Sequence, residues 1–426
     1  MNFENSLDFA RGLDDQDPLK HFRKKFYIPH LNGKEVVYFT GNSLGLQPRT
    51  TKDYVNQELD DWAELGVEGH FHARNPWFPY HEIFPAQLSK IVGCLPQEVV
   101  VMNQLTVNIH LLMVTFYRPS KERFRIICEA RAFPSDQYAL ESQVRLHGFD
   151  PHDAIIEVEP RKGEHTIRTE DIIETIKKHG NETALVFFGG VNYYSGQLFD
   201  MKAITAAAHE AGAYAGFDLA HAAGNVKLEL HDWNVDFACW CSYKYLNSGP
   251  GGVAGVYIHD RHARNKDLPR FAGWWGYPKA TRFVMQKGFE AIPTAEGWQL
   301  SNAPILSMAA HKAALDIFDE AGMDMLVAKS RKLTDYLLFI LDEVNASQSS
   351  VSVELITPRE YSERGCQVSM LIPVRGREIF DRLIEQGVIA DWREPDVIRI
   401  APVPLYNTFE DIYRFGNIIS NTLNRN

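Results

Sequence analysis

The chain has 426 residues, 45% of them hydrophobic and 23% charged, which fits a folded enzyme too long for one small core. Its net charge of −11 excludes the basic field a nucleic-acid-binding surface needs, and no run of about 18 apolar residues is present to span a membrane. The acidic start, Met1-Asn2-Phe3-Glu4, lacks the apolar stretch of a secretory leader, and five cysteines, an odd count, suit the reduced thiols of a cytoplasmic chain.

In chain order, residues 1–65 offer one hydrophobic burst, Val36–Thr40, and a helical stretch, Lys52–Trp62; this segment is expected to pack on the C-terminal domain. Residues 66–300 read as a large domain. Short apolar runs predict strands at Val99–Met102, Phe124–Cys128, Ala154–Val158, Ala184–Phe188, Tyr214–Asp218, Phe237–Cys241 and Val253–His259. Helical patterns fall between most of them, at Leu105–Phe116, Asp136–Leu146, Thr169–Lys178 and Lys202–Ala211. Such alternation predicts an α/β fold with a mostly parallel seven-stranded sheet covered by helices on both faces. Residues 301–426 predict a smaller α+β domain. It has a long helical region, Pro304–Ile340, strands at Val351–Leu355, Gln367–Val374 and Val397–Ala401, a helix at Arg377–Gln386, and a last helix opened by an Asn407/Thr408 cap.

Short motifs give little. Gly41-Asn42-Ser43-Leu44-Gly45 has the form of a serine-hydrolase nucleophile elbow, but it precedes the sheet such an elbow needs, so a turn or a substrate contact is the better reading. Gly249-Pro250-Gly251-Gly252-Val253-Ala254 has the spacing of a dinucleotide fingerprint, yet a β-branched run follows where a helix is required. Cys239 and Cys241 share one face of a predicted strand without the second pair of a zinc site; they are expected to pack in the core, and no metal is expected.

The informative cluster is Phe217-Asp218-Leu219-Ala220-His221 followed by Cys241-Ser242-Tyr243-Lys244-Tyr245. Asp218 ends one predicted strand and Lys244 lies just past the end of another, so both face the crevice where open α/β sheets bind ligands. A buried Asp and a buried Lys are costly unless paired or used. Pyridoxal 5′-phosphate uses this pair: the lysine amine bonds the aldehyde, and the carboxylate keeps the pyridine nitrogen protonated so that the ring accepts electrons.

Several blocks then stand in a recognisable order: Gly41–Gly45, Asn103–Asn108, Phe133-Pro134-Ser135-Asp136, Phe217–His221, Cys239–Asn247, Gly273-Trp274, Ser301-Asn302-Ala303-Pro304 and Arg399-Ile400-Ala401-Pro402-Val403-Pro404. Over nearly its whole length the chain resembles the kynureninases, within the fold type I (aspartate-aminotransferase-like) pyridoxal-phosphate enzymes. The resemblance implies hydrolysis of L-kynurenine or its 3-hydroxy form to an anthranilate and L-alanine, in tryptophan breakdown or pyridine nucleotide synthesis. It implies a homodimer whose active sites lie at the subunit interface. Leu105 and Thr106 would hold the phosphate at a helix start, with the Tyr243 hydroxyl. Phe133 would stack on the ring, with Pro134, Ser135 and Asp136 in the same loop, and His221 would support Asp218. Trp274 and Asn302 would come from the domain junction or the partner subunit. Lys244 and Tyr243 would move protons, Arg399 would bind the substrate carboxylate, and His70 and Ser43 would shape the aromatic end. Gly189 departs from the small hydroxyl residue of some members and puts one cofactor contact in doubt. The related cysteine desulfurases place a histidine before their lysine and use a mobile catalytic cysteine. Here Tyr243 precedes Lys244, and the late Cys366 opens an apolar run.

Overall fold

A computed structural model describes residues 2–347 and 351–424. Seven strands form its central sheet: β1 (Val99–Val101), β2 (Arg125–Glu129), β3 (Ile155–Val158), β4 (Thr183–Gly189), β5 (Tyr214–Asp218), β6 (Phe237–Trp240) and β7 (Gly255–Ile258). Their order is β1-β7-β6-β5-β4-β2-β3. Pairs from β3 through β6 are parallel, and β7 alone runs antiparallel, against both β1 and β6. All seven predicted strands are present; six are mostly buried apolar runs, and the edge strand β3 is partly exposed. The helices also match closely, at Leu105–Phe116, Pro134–Leu146, Thr169–His179 and Met201–Glu210. After Gly249 the backbone turns, with positive φ at Gly249 and Gly251, straight back into β7, so no dinucleotide-binding helix follows.

A second sheet is antiparallel throughout: β8 (Glu354–Leu355), β9 (Val368–Leu371), β10 (Asp391–Arg393) and β11 (Val397–Ile400), in the order β8-β9-β11-β10. Strand alternation gives it two unlike faces. Val368, Met370, Ile398 and Ile400 join a buried core with the helices Met323–Ala346, Gly376–Glu385 and Phe409–Leu423. Ser369, Arg399 and Asp391 take the other face, toward the large sheet, where the Ser369 hydroxyl donates to the Tyr194 carbonyl at 2.6 Å.

Three expectations need correction. The long helical region is two helices, Ile305–Ala321 and Met323–Ala346, interrupted by Gly322 at φ 74°, a left-handed position that favours glycine and stops a helix. The first of these packs on the helix Thr51–Leu65 and sends Met308, Leu315 and Phe318 into the core of the large sheet, so residue 300 is not a core boundary. The N-terminal segment divides between the two cores. Val37 and Phe39 join the small one, whereas Phe22, Phe26 and Leu46 join the large one. It also contains an unpredicted helix, Leu7–Asp15, capped by the Ser6 hydroxyl, whose Asp14 accepts the Phe409 and Glu410 amides.

Candidate active site

A cavity of about 350 Å³ opens at the carboxyl ends of β2, β4, β5 and β6. Ser43, Leu105, Thr106, Phe133, Ser135, Asp136, Asp218, His221, Tyr243 and Lys244 all line it. Chain segments far apart in sequence therefore converge there, as the switch point of an open α/β sheet allows.

Lys244 follows β6 in a tight loop that the Asn42–Gly45 turn clamps from outside. The Gly45 amide donates to the Tyr243 carbonyl at 2.8 Å, and a Cβ on Gly45 would lie 2.3 Å from the Lys244 carbonyl oxygen. Lys244 Nζ lies 3.0 Å from His221 Nε2 and 5.7 Å from the centre of the Phe133 ring. His221 therefore contacts the lysine amine, where the resemblance had it supporting Asp218. Burial, then the charges of Lys244, Arg399 and Arg393, hold the imidazole well below its ordinary pKa and hence neutral.

Asp218 is the last residue of β5 and accepts the Ala220 amide at 2.8 Å. Asp136, in the first turn of the helix Pro134–Leu146, is its close neighbour. Burial, then the Asp218 charge, pushes the Asp136 carboxyl well above the usual range. Burial also raises Asp218, with Asp136, Lys244 and the Ala220 amide opposing. Asp136 thus holds the shared proton and Asp218 the charge. Pro134 occupies the first helical position, where a missing N–H costs nothing, and does not reach the cavity. Across from these acids stands the start of the helix Leu105–Phe116. Its cap residue, Gln104, makes no side-chain bond to it, so the amides of the first turn remain free at a positive helix end. The Tyr243 hydroxyl is half-buried, and burial followed by the neighbouring Cys241 keeps it protonated.

One carboxylate was not foreseen. Glu129 ends β2, is 4% exposed and lines the same cavity. Both of its oxygens accept the Gly189 amide, at 2.9 and 3.2 Å, and burial pushes it up to about 7. A Cβ on Gly189 would stand 2.9 Å from Glu129 Oε1, so a side chain there would require the Glu129 carboxyl to shift. The signal was available: like Asp218, Glu129 is a charged residue closing an apolar strand.

Other expected residues lie elsewhere in the chain. Arg399 is 1% exposed and sits behind the cavity wall; its Nε donates to Asp391 at 3.1 Å, and it also donates to the Tyr193 carbonyl. Arg393, two residues beyond Asp391, lines the cavity instead. His70 lies on the short helix Gly69–His72 with its ring edge-on to Trp77. Trp274 is 41% exposed and donates to the Arg282 carbonyl, and Asn302 is exposed in a separate crevice beside Met102–Gln104. None of these three lines the cavity of a single chain. Ser43 lines it, but its hydroxyl has no hydrogen bond to a histidine or other base among the described residues, so the elbow lacks an activating base. Cys366 is fully buried and its thiol is pushed up to about 12, which is not a reactive thiolate.

The chain matches the family described as aminotransferase class-V over residues 86–362 and the kynureninase C-terminal domain over residues 326–419. It is 57% identical over 419 residues to the kynureninase of Flavobacterium johnsoniae, covering 98% of each chain. It is 56% identical to that of Myxococcus xanthus, covering 97% of this chain and 96% of the relative. The kynureninase of Nematostella vectensis is 47% identical, at 97% and 93% coverage. Among solved structures, a cysteine desulfurase from Thermococcus onnurineus NA1 superposes with a TM-score of 0.77 at 17% identity, covering 95% and 98% of the two chains. The cystine C-S lyase C-DES, in complex with cysteine persulfide, gives 0.74 at 16% identity, covering 91% and 97%. At such identities the structural likeness speaks for the fold, whereas the sequence relatives extend over almost the full chain: it belongs to the kynureninase family and carries the class-V aminotransferase fold.

Proposed function

We propose that this chain hydrolyses L-kynurenine, or its 3-hydroxy form, to anthranilate or 3-hydroxyanthranilate and L-alanine. The observation that carries the reading is the meeting of Lys244 and Asp218 with the free start of the helix Leu105–Phe116 in one cavity walled by Phe133. Pyridoxal 5′-phosphate fits these residues. The first-turn amides and the Thr106 hydroxyl suit its phosphate, the Phe133 face suits its ring, and the charged Asp218 carboxylate suits a protonated ring nitrogen. When bound to Lys244 it supplies an electron sink for carbanion chemistry.

The protein's own contribution is to position groups and move protons. Lys244 Nζ takes the proton from the substrate's α-carbon. His221, neutral and 3.0 Å away, accepts a hydrogen bond from that amine without adding a competing charge. Water adds to the γ-carbonyl and the Cβ–Cγ bond breaks, releasing the aryl acid. Tyr243, kept protonated beside Lys244, delivers a proton to the departing alanine fragment.

The working unit is a homodimer in this reading. Phe71, Phe283, Val284 and Met285 are each more than half exposed, and Phe283 packs against Trp274 at 5.3 Å, giving an apolar surface that a second copy would cover. His70, Trp274 and Asn302 would complete the partner's cavity from that side. A cytoplasmic location is part of the same proposal; no helix among the described residues is long and apolar enough to cross a membrane. Incubating the purified, cofactor-loaded chain with L-kynurenine tests the reaction. Anthranilate and alanine should appear in equal amounts, and a loaded enzyme that releases neither overturns it.

A further inference from the structure

If the substrate is an α-amino acid, as proposed above, its carboxylate needs an anchor beside Lys244, which takes its α-proton. The polar face of the small sheet supplies more than one. Asp391 on β10 pairs directly with Arg399 on β11, and Arg393 lies two residues along on the same face as Asp391. A single oxygen, Asp391 Oδ1, lies 3.1 Å from Arg399 Nε, 2.9 Å from Arg399 Nη2 and 3.0 Å from Arg393 Nε. Only the first of these is an aligned hydrogen bond; Arg399 Nη2 and Arg393 Nε are both buried donors without one. Two guanidinium groups thus face one carboxylate. The cluster thus has one positive charge in excess, with Arg399 fully buried and Arg393 partly exposed.

We propose that Arg393 is a second anchor for the substrate's α-carboxylate, sharing it with Arg399, while Asp391 holds the two forks apart and aimed. A monoanionic carboxylate in the cavity supplies an acceptor to the Arg393 fork, whose Nη2 is otherwise held only by Asp391 Oδ2 at 3.3 Å, and balances the cluster's charge. Arg393 shares the cavity wall with Lys244 and His221, and an α-amino acid carries its carboxylate on the same carbon from which Lys244 takes the proton.

The test compares two amines on the loaded enzyme, followed by the change each causes in the cofactor's visible absorption: L-alanine, and ethylamine, which is alanine without the carboxylate. Arg393→Gln should raise the dissociation constant for L-alanine about tenfold or more and leave that for ethylamine unchanged. Arg393→Lys, which keeps the charge and loses the fork, should fall between parent and Arg393→Gln, and it serves as the test if Arg393→Gln does not load cofactor. Unchanged alanine affinity in the variants, or equal weakening for both amines, overturns the proposal. Turnover of L-kynurenine by the parent is measured alongside. Its absence would count against the proposed reaction and leave the comparison of amines standing.

Discussion

The two ends of the cavity are opposites. The end built by the large sheet is acidic: Glu129, Asp136 and Asp218 come from strand ends and one helix start, and burial raises all three. The end built by the small sheet is basic, with Arg393 and Arg399 crowding on Asp391. An amphoteric guest that presents a ring cation to one end and a carboxylate to the other is oriented by this polarity before any specific contact forms. Lys244 stands between, beside a histidine kept neutral by burial first and then by the charges of Lys244 and the two arginines.

This polarity can be broken at its centre. Lys244→Ala should abolish the visible absorption of the bound cofactor and lower turnover by roughly four to six orders of magnitude. An intact band with full turnover would place the covalent lysine elsewhere. Asp218→Asn removes the charge of the Asp218–Asp136 pair, since Asp136 holds the proton. A loss of about 10²–10³-fold in kcat is expected, with cofactor still bound through its phosphate. Near-parental kcat would mean that another carboxylate serves the ring nitrogen. At the basic end, Arg399→Lys keeps the charge but cannot serve Asp391 and a substrate at once. KM for kynurenine should rise about tenfold, or ~1.4 kcal/mol, with the visible band unaltered; an unchanged KM would assign the carboxylate to Arg393 alone.

Glu129 gives the smallest and sharpest contrast. Its carboxyl titrates near 7 in the folded chain, above its ordinary value, so the native state binds the extra proton. Its stabilising contribution is complete below the unfolded carboxyl's pKa and is lost as pH rises through about 7, a change of ~3 kcal/mol. Glu129→Gln keeps an acceptor for the Gly189 amide and removes the titration. Its melting temperature should therefore fall less than the parent's between about pH 5 and pH 7. Parallel pH profiles of the two proteins would show that Glu129 is already charged at low pH.

The acidic end was largely legible in the sequence. Asp218 and Lys244 each follow an apolar strand, and strand ends are where such sheets place chemistry. Glu129 carries the same signal, masked because the cysteine and isoleucines before it read as a complete strand. The basic end was illegible for a different reason. Alternation along β11 places Arg399 opposite the apolar face, but only the register of β10 on β11 brings Asp391 across from it and Arg393 to the cavity. Register between strands is a tertiary property that no single strand's pattern contains. The break at Gly322 was in principle visible as a lone glycine in a long helical run, where it reads equally as a tolerated residue.

The Val37–Gly45 stretch has a consequence for how the cavity is made. Its backbone pairs with Val388–Ile389, bonds to Ala401, and then clamps the lysine loop through Gly45. This stretch is thus held by partners that lie hundreds of residues later in the chain. Contacts so distant in sequence form slowly, and here they cannot form at all until residues 388–401 have been made. The large sheet can assemble while translation proceeds, but the lysine gains its outer wall only afterwards. A nascent or C-terminally truncated chain would expose an unfinished cavity, and cofactor capture belongs to the last stage of folding.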